Sequence, residues 1–119
     1  YFIVKAFGDL DEDDQDTKIS CTKMELIEEL DFSTLLLRGA VYMAIHPDRP
    51  WCNLVRKETG TGENGFVIVR GKNPRAKGRK NDLLIFVQEE PDSNDIFFVN
   101  QICVDGARYK EDQWYGIAD

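Results

Sequence analysis

The chain has 119 residues, 42% hydrophobic and 31% charged, with a formal net charge of −7. That is long enough to bury one core and too apolar for a disordered chain. Its longest apolar run, residues 40–45, falls far short of the roughly 20 residues that cross a bilayer. A pI near 4.7 argues against general adhesion of the whole surface to nucleic acid or anionic membrane.

Residues 1–7 (YFIVKAF) are β-branched and aromatic and predict a strand. Opening directly on such a run, with no signal peptide visible, suggests a piece of a longer protein. Residues 8–17 read as a solvated acidic loop. Thr22 and Glu25 have capping-box spacing, which predicts a helix over 23–30 with Met24, Ile27 and Leu30 on one face. Asp31 and Ser33 are the next cap candidates. Leu35, Leu36 and Leu37 favour a short helical segment ending at Arg38, because Gly39 costs a helix about 1 kcal/mol relative to alanine. Residues 40–45 then read as a strand stopped by Pro47 and Pro50.

The second half predicts strands over 51–57, 66–70, 83–88 and 95–104, separated by turn-rich connections. Asp105-Gly106 suits a tight hairpin turn returning through 107–109 as a last strand, and 110–115 suits one turn of helix. The expected fold class is α+β. An antiparallel β-sheet meander fills the C-terminal two-thirds, with one or two short helices near the N-terminus. No linker or repeat divides residues 1–119, so one compact domain is expected.

Gly60, Gly62 and Gly65 spell G-x-G-x-x-G-x-V with Val67. Dinucleotide sites need such glycines between a strand and a helix; strand formers follow here. The spelling also resembles the glycine-rich hairpin of protein kinases over eight residues, but no HRD or DFG triplet follows. His46-Pro47-Asp48 resembles the tripeptide of J-domain co-chaperones, without the flanking helices that such domains need. His46 is the only histidine, so catalysis would require it beside Cys52 or a carboxylate. Asp9, Asp11 and Asp13 alternate as in a calcium loop, but Asp14 and Ser20 stand where glycine and glutamate are needed. No metal or cofactor is expected, and enzymatic activity is the less favoured class.

Cys21, Cys52 and Cys103 are odd in number and form no CxxC pair. This points away from a disulfide framework and towards an intracellular, reducing compartment, cytoplasmic or nuclear. Cys103, between Ile102 and Val104, reads as a small core residue.

Residues 70–80 carry six bases and no acid, while residues 9–16 carry six acids and no base. Clustered like charge costs electrostatic energy and marks a candidate site. Arg70, Lys72, Arg75, Lys77, Arg79 and Lys80 are therefore expected on a hairpin tip, free of the protein's own carboxylates. Trp51, Tyr109 and Trp114 supply candidate aromatic anchors; Phe97 and Phe98 are adjacent, so one of them should face away from the other. The expected function is a non-enzymatic interaction module binding an acidic protein partner. Alternatives are a nucleic-acid-binding domain using the same residues, an acidic inhibitor or nucleic-acid mimic, and a small enzyme using His46.

Overall fold

The computed structural model describes residues 1–12, 19–46 and 55–119, without the side chain of residue 44. Two compact units divide the chain, residues 1–35 and 36–119, and the boundary falls inside its helix.

In the first unit, β1 (Phe2–Glu12) and β2 (Ile19–Glu29) form an antiparallel two-stranded ribbon. Gly8, at φ 83°, lies within a register shift between Phe7 and Leu10, a conformation that glycine adopts at no steric cost. Residues 23–29 of the predicted helix are therefore strand, and Leu30 follows it. Thr22 does not cap a helix; its hydroxyl accepts the Asp9 N–H at 2.9 Å. The apolar residues that suggested a helical face, Met24 and Ile27, are exposed.

Helix α1 (Phe32–Ile45) runs through the predicted break at Gly39 and takes in the segment read as a strand. Asp31 caps it, accepting the Thr34 N–H at 2.7 Å. No atom lies within 4 Å of where a Cβ on Gly39 would stand, so the glycine costs propensity but no packing. Leu36, Ala40 and Met43, spaced for one helical face, are buried.

The second unit holds β3 (Val55–Thr61), β4 (Phe66–Lys77), β5 (Leu83–Glu89), β6 (Ile96–Cys103) and β7 (Tyr115–Gly116). The fold is α+β as expected, but the sheet is no antiparallel meander. β3 pairs parallel to β4, and β4 parallel to β5; only β5–β6 and β4–β7 are antiparallel. Straight parallel neighbours need a crossover of a dozen or more residues, yet residues 62–65 and 78–82 suffice here. The chain manages this by coiling. Val55 stacks on Ile68 and Ile68 on Ile85, while Thr59, past the register shift in β3, stacks on Arg75. Each turn of the coil thus runs out along one segment, bends, and comes back along another.

The bends are stapled to one another. Glu58, at φ 66°, occupies the space a side chain on Gly71 would need. Its carboxylate accepts the N–H groups of Lys72 at 3.1 Å and Asn73 at 3.4 Å. Val67, Val69, Leu84 and Phe86 from the outgoing segments close a core with Ala76, Ile102, Val104 and Tyr115. Ile68, Ile85 and Val87, on the opposite face, are buried too.

The tail departs from expectation. Asp105 Oδ1 accepts the N–H groups of Ala107 at 2.8 Å and Tyr109 at 3.0 Å, so 107–109 is a bend and not a strand. Residues 110–115 form no helical turn; β7 pairs there with β4. Cys103 is exposed, correcting its assignment to the core. Ile102 and Val104 take the inward positions, and alternation along the strand turns the thiol out.

Candidate functional site

The basic stretch is not a hairpin tip. Arg70, Lys72, Arg75 and Lys77 lie in β4, and Arg79 and Lys80 in the turn after it. Coiling separates them into two groups. Arg70 Nε lies 2.9 Å from Glu89 Oε1, with side chains only 12% and 15% exposed, and its Nη2 donates to the Asn94 carbonyl at 2.8 Å. Lys72 Nζ lies 3.6 Å from Glu89 Oε2 and donates to the carbonyls of Glu90 and Ser93. These two cations hold down the 90–95 loop, so the expectation that the whole cluster stands free of internal carboxylates fails for them.

The other four are differently placed. Among the described residues, no ion pair engages the side chains of Arg75, Lys77, Arg79 or Lys80. Arg75, Arg79 and Lys80 are exposed and Lys77 is half-buried. Lys77 Nζ stands 5.3 Å from the ring centroid of Trp114, within cation–π range, and Trp114 remains 43% exposed. A cleft of about 780 Å³ opens here between the turns at 62–65 and 78–82. Lys77, Arg79 and Lys80 line it, with Glu63, Asp82 and Asp112.

Two of those carboxylates are committed elsewhere. Glu63 lies 4.0 Å from Arg56. Asp82, 8% exposed, accepts the Arg79 N–H at 2.8 Å and fills space that side chains on Gly62 and Gly78 would need. Backbone groups are committed as well: Lys80 N–H donates to Glu111 at 2.8 Å, and Asp112 N–H to the Gly78 carbonyl at 2.9 Å. The cleft therefore has a hydrogen-bonded backbone rim carrying cationic side chains that no ion pair engages among the described residues. Asp82 and Glu58 were not flagged by the sequence; the closely spaced glycines at 60, 62, 71 and 78 were the only signal.

Of the aromatic candidates, Trp114 joins the cationic group. Tyr109 does not: it packs edge-on against Tyr115, centroids 5.3 Å apart, and its hydroxyl donates to the Asp119 carbonyl at 3.1 Å. Trp51 lies outside the described residues. Phe97 and Phe98 are both exposed, at 51% and 44%. The register slips from Gln88↔Phe98 to Glu89↔Ile96, making Phe97 the extra residue of a bulge, and a bulge suspends strict alternation.

The remaining motif readings gain no geometry. His46 stacks on Tyr42 at 4.1 Å and its Nδ1 lies 3.1 Å from the Tyr42 carbonyl; Cys52 lies outside the described residues. Gly60, Gly62 and Gly65 serve a bend between parallel turns of the coil, not a strand-to-helix junction. Asp13 and Asp14 are outside the described residues, and among those described no cluster of His, Cys, Asp or Glu could hold a metal ion. Nor is any described helix long and apolar enough to cross a membrane.

Residues 1–38 match a family model described as a domain of unknown function (DUF7666). The matched segment ends close to the boundary of the first compact unit. Neither the curated proteins nor the solved structures yielded a match to the chain.

Proposed function

We propose that the chain is a non-enzymatic interaction module that binds an acidic segment of a protein partner. Arg75, Lys77, Arg79 and Lys80 supply the charge, and Trp114 an aromatic anchor. The observation that carries this reading is that, among the described residues, no ion pair engages these four cations, three of which line an open cleft, with an exposed indole beside Lys77. Glu63 and Asp112 line the same cleft, so a partner must seat its anionic groups at Arg79 and Lys80 and away from these two. A short peptide with spaced acidic residues does this more readily than a continuous track of phosphates. Clustered surface cations raise association rates first and affinity second; the indole contributes most of the desolvated contact. An intracellular setting accords with the free thiols of Cys21 and Cys103.

The test uses fluorescein-labelled peptides of alternating glutamate and leucine, with a single-stranded oligonucleotide for comparison. Changing Lys77, Arg79 and Lys80 together to Ser should weaken peptide binding at least about tenfold, which is about 1.4 kcal/mol. Peptide binding unaffected by this triple change would end the proposal. Tighter binding of the oligonucleotide, with a salt slope of about 0.7 per phosphate contacted, would replace it with the nucleic-acid reading.

A further inference from the structure

The net charge of −7 is not spread along the chain. Residues 1–35 hold three bases against ten carboxylates, while residues 36–119 hold twelve of each. The whole imbalance therefore belongs to the unit built on the β1–β2 ribbon.

That unit also lacks a core. Among its described residues only Leu30 is buried, and nine large apolar side chains are exposed, including Val4, Phe7, Leu10, Ile19, Met24 and Leu26. The ladder sets Val4 opposite Leu26 and Ala6 opposite Met24, which gathers apolar groups at mid-ribbon. A two-stranded ribbon is marginal in water unless something covers it, and contiguous exposed apolar surface marks a contact site. Among the described residues neither outer edge of the ribbon is paired, so backbone N–H and C=O groups are available there.

From these features together we infer that the β1–β2 ribbon is the docking surface for a cationic, apolar, strand-forming segment of another protein. Such a segment adds to a ribbon edge through main-chain hydrogen bonds. Alternation along it lays apolar side chains over Val4, Met24 and Leu26, and leaves lysines or arginines to meet exposed carboxylates along the ribbon such as Asp11, Glu12 and Glu29. A second copy of the ribbon is a poor occupant, because it brings −7 against −7. This surface is independent of Arg75, Lys77, Arg79 and Lys80, and stands or falls separately from them.

The experiment measures anisotropy of three labelled ten-residue peptides titrated with the full chain: alternating Lys-Val, Lys-Ser and Glu-Val. Lys-Val should bind at least about tenfold more tightly than either control. Changing Met24 and Leu26 to Thr, which keeps strand propensity, should remove that preference, with circular dichroism confirming the fold. Changing Asp11 and Glu29 to Lys should weaken Lys-Val binding by a similar factor, and changing Lys77, Arg79 and Lys80 to Ser should leave it unaltered. Equal binding of Lys-Val and Lys-Ser would overturn the proposal by showing charge attraction alone. Absence of Lys-Val binding would overturn it too, as would self-association abolished by the Met24 and Leu26 changes, which would assign the face to a second copy.

Discussion

Arg70 and Glu89 meet across the parallel β4–β5 pair as a nearly buried ion pair, Nε to Oε1 at 2.9 Å. The pair fixes what the basic stretch can do, because it removes Arg70 from the set available to a partner and recruits Lys72 to the same carboxylate. Removing one member of a buried pair is costly, and without Arg70 the Glu89 carboxylate would keep only the more distant Lys72, at 3.6 Å on its other oxygen. Arg70→Met should therefore destabilise the fold by about 3 kcal/mol. The double change Arg70→Met with Glu89→Leu should recover much of that loss. Urea unfolding of the four proteins in a double-mutant cycle measures both effects. A double change no more stable than Arg70→Met alone would contradict this account.

Asp82 and Gly62 are coupled by volume. The Asp82 carboxylate occupies the place of a Gly62 side chain and also satisfies the Arg79 N–H. Gly62→Ala should cost about 1–3 kcal/mol as overpacking, and noticeably less when Asp82 is already Ala. Chemical denaturation should show a coupling of at least about 0.5 kcal/mol, the lower end for residues in contact.

Two exposed aspartates confer a shared pH dependence. The Thr34 backbone N–H, followed by its hydroxyl, holds the Asp31 carboxyl below its ordinary value. The N–H groups of Ala107 and then Tyr109 do the same for Asp105. A lowered folded value means stability present above the unfolded value, near pH 4, and lost as pH falls through the folded one. Melting temperature should therefore decline more shallowly below pH 4 in Asp31→Asn and Asp105→Asn than in the wild type. Thermal scans between pH 2.5 and 6 read the difference.

Gln101 carries a buried side-chain oxygen with no hydrogen-bond donor among the described residues. It stands opposite the buried Ile85 on the β5–β6 ladder. A buried acceptor left without a partner costs about 1–3 kcal/mol. Gln101→Met should leave stability unchanged or raise it by about 1 kcal/mol, as measured by the urea midpoint.

Lys77 over the Trp114 ring offers an optical readout. In a Trp51→Phe background, an acidic peptide that draws Lys77 away should change the indole emission. Lys77→Ala should reduce that change and leave the fold's circular dichroism as it was.

The strands at 66–70, 83–88 and 95–104 were legible because Val, Ile and Phe runs between turn residues have few other solutions. What joins them was not. Gly62 to Gly65 and Gly78 to Asp82 carry the same turn chemistry whether the chain reverses into a hairpin or rounds a bend in a coil. Only the long-range register, Val55 on Ile68 on Ile85, distinguishes the two. Met24, Ile27 and Leu30 suggested a helical face because the ribbon leaves apolar residues exposed that alternation would ordinarily hide. The split within the basic stretch was invisible for a related reason. Nothing local to Arg70 or Lys72 announces Glu89, which becomes a neighbour only once β5 has stacked on β4.

Because each lap of the coiled segment leans chiefly on the lap beside it, the architecture tolerates growth by whole laps. Phe66 and Leu83 occupy equivalent stations, so a tandem copy of residues 66–82 would be accommodated as one more storey, with β6 and β7 still closing the far end. Proteins of different height could then share the same two ends.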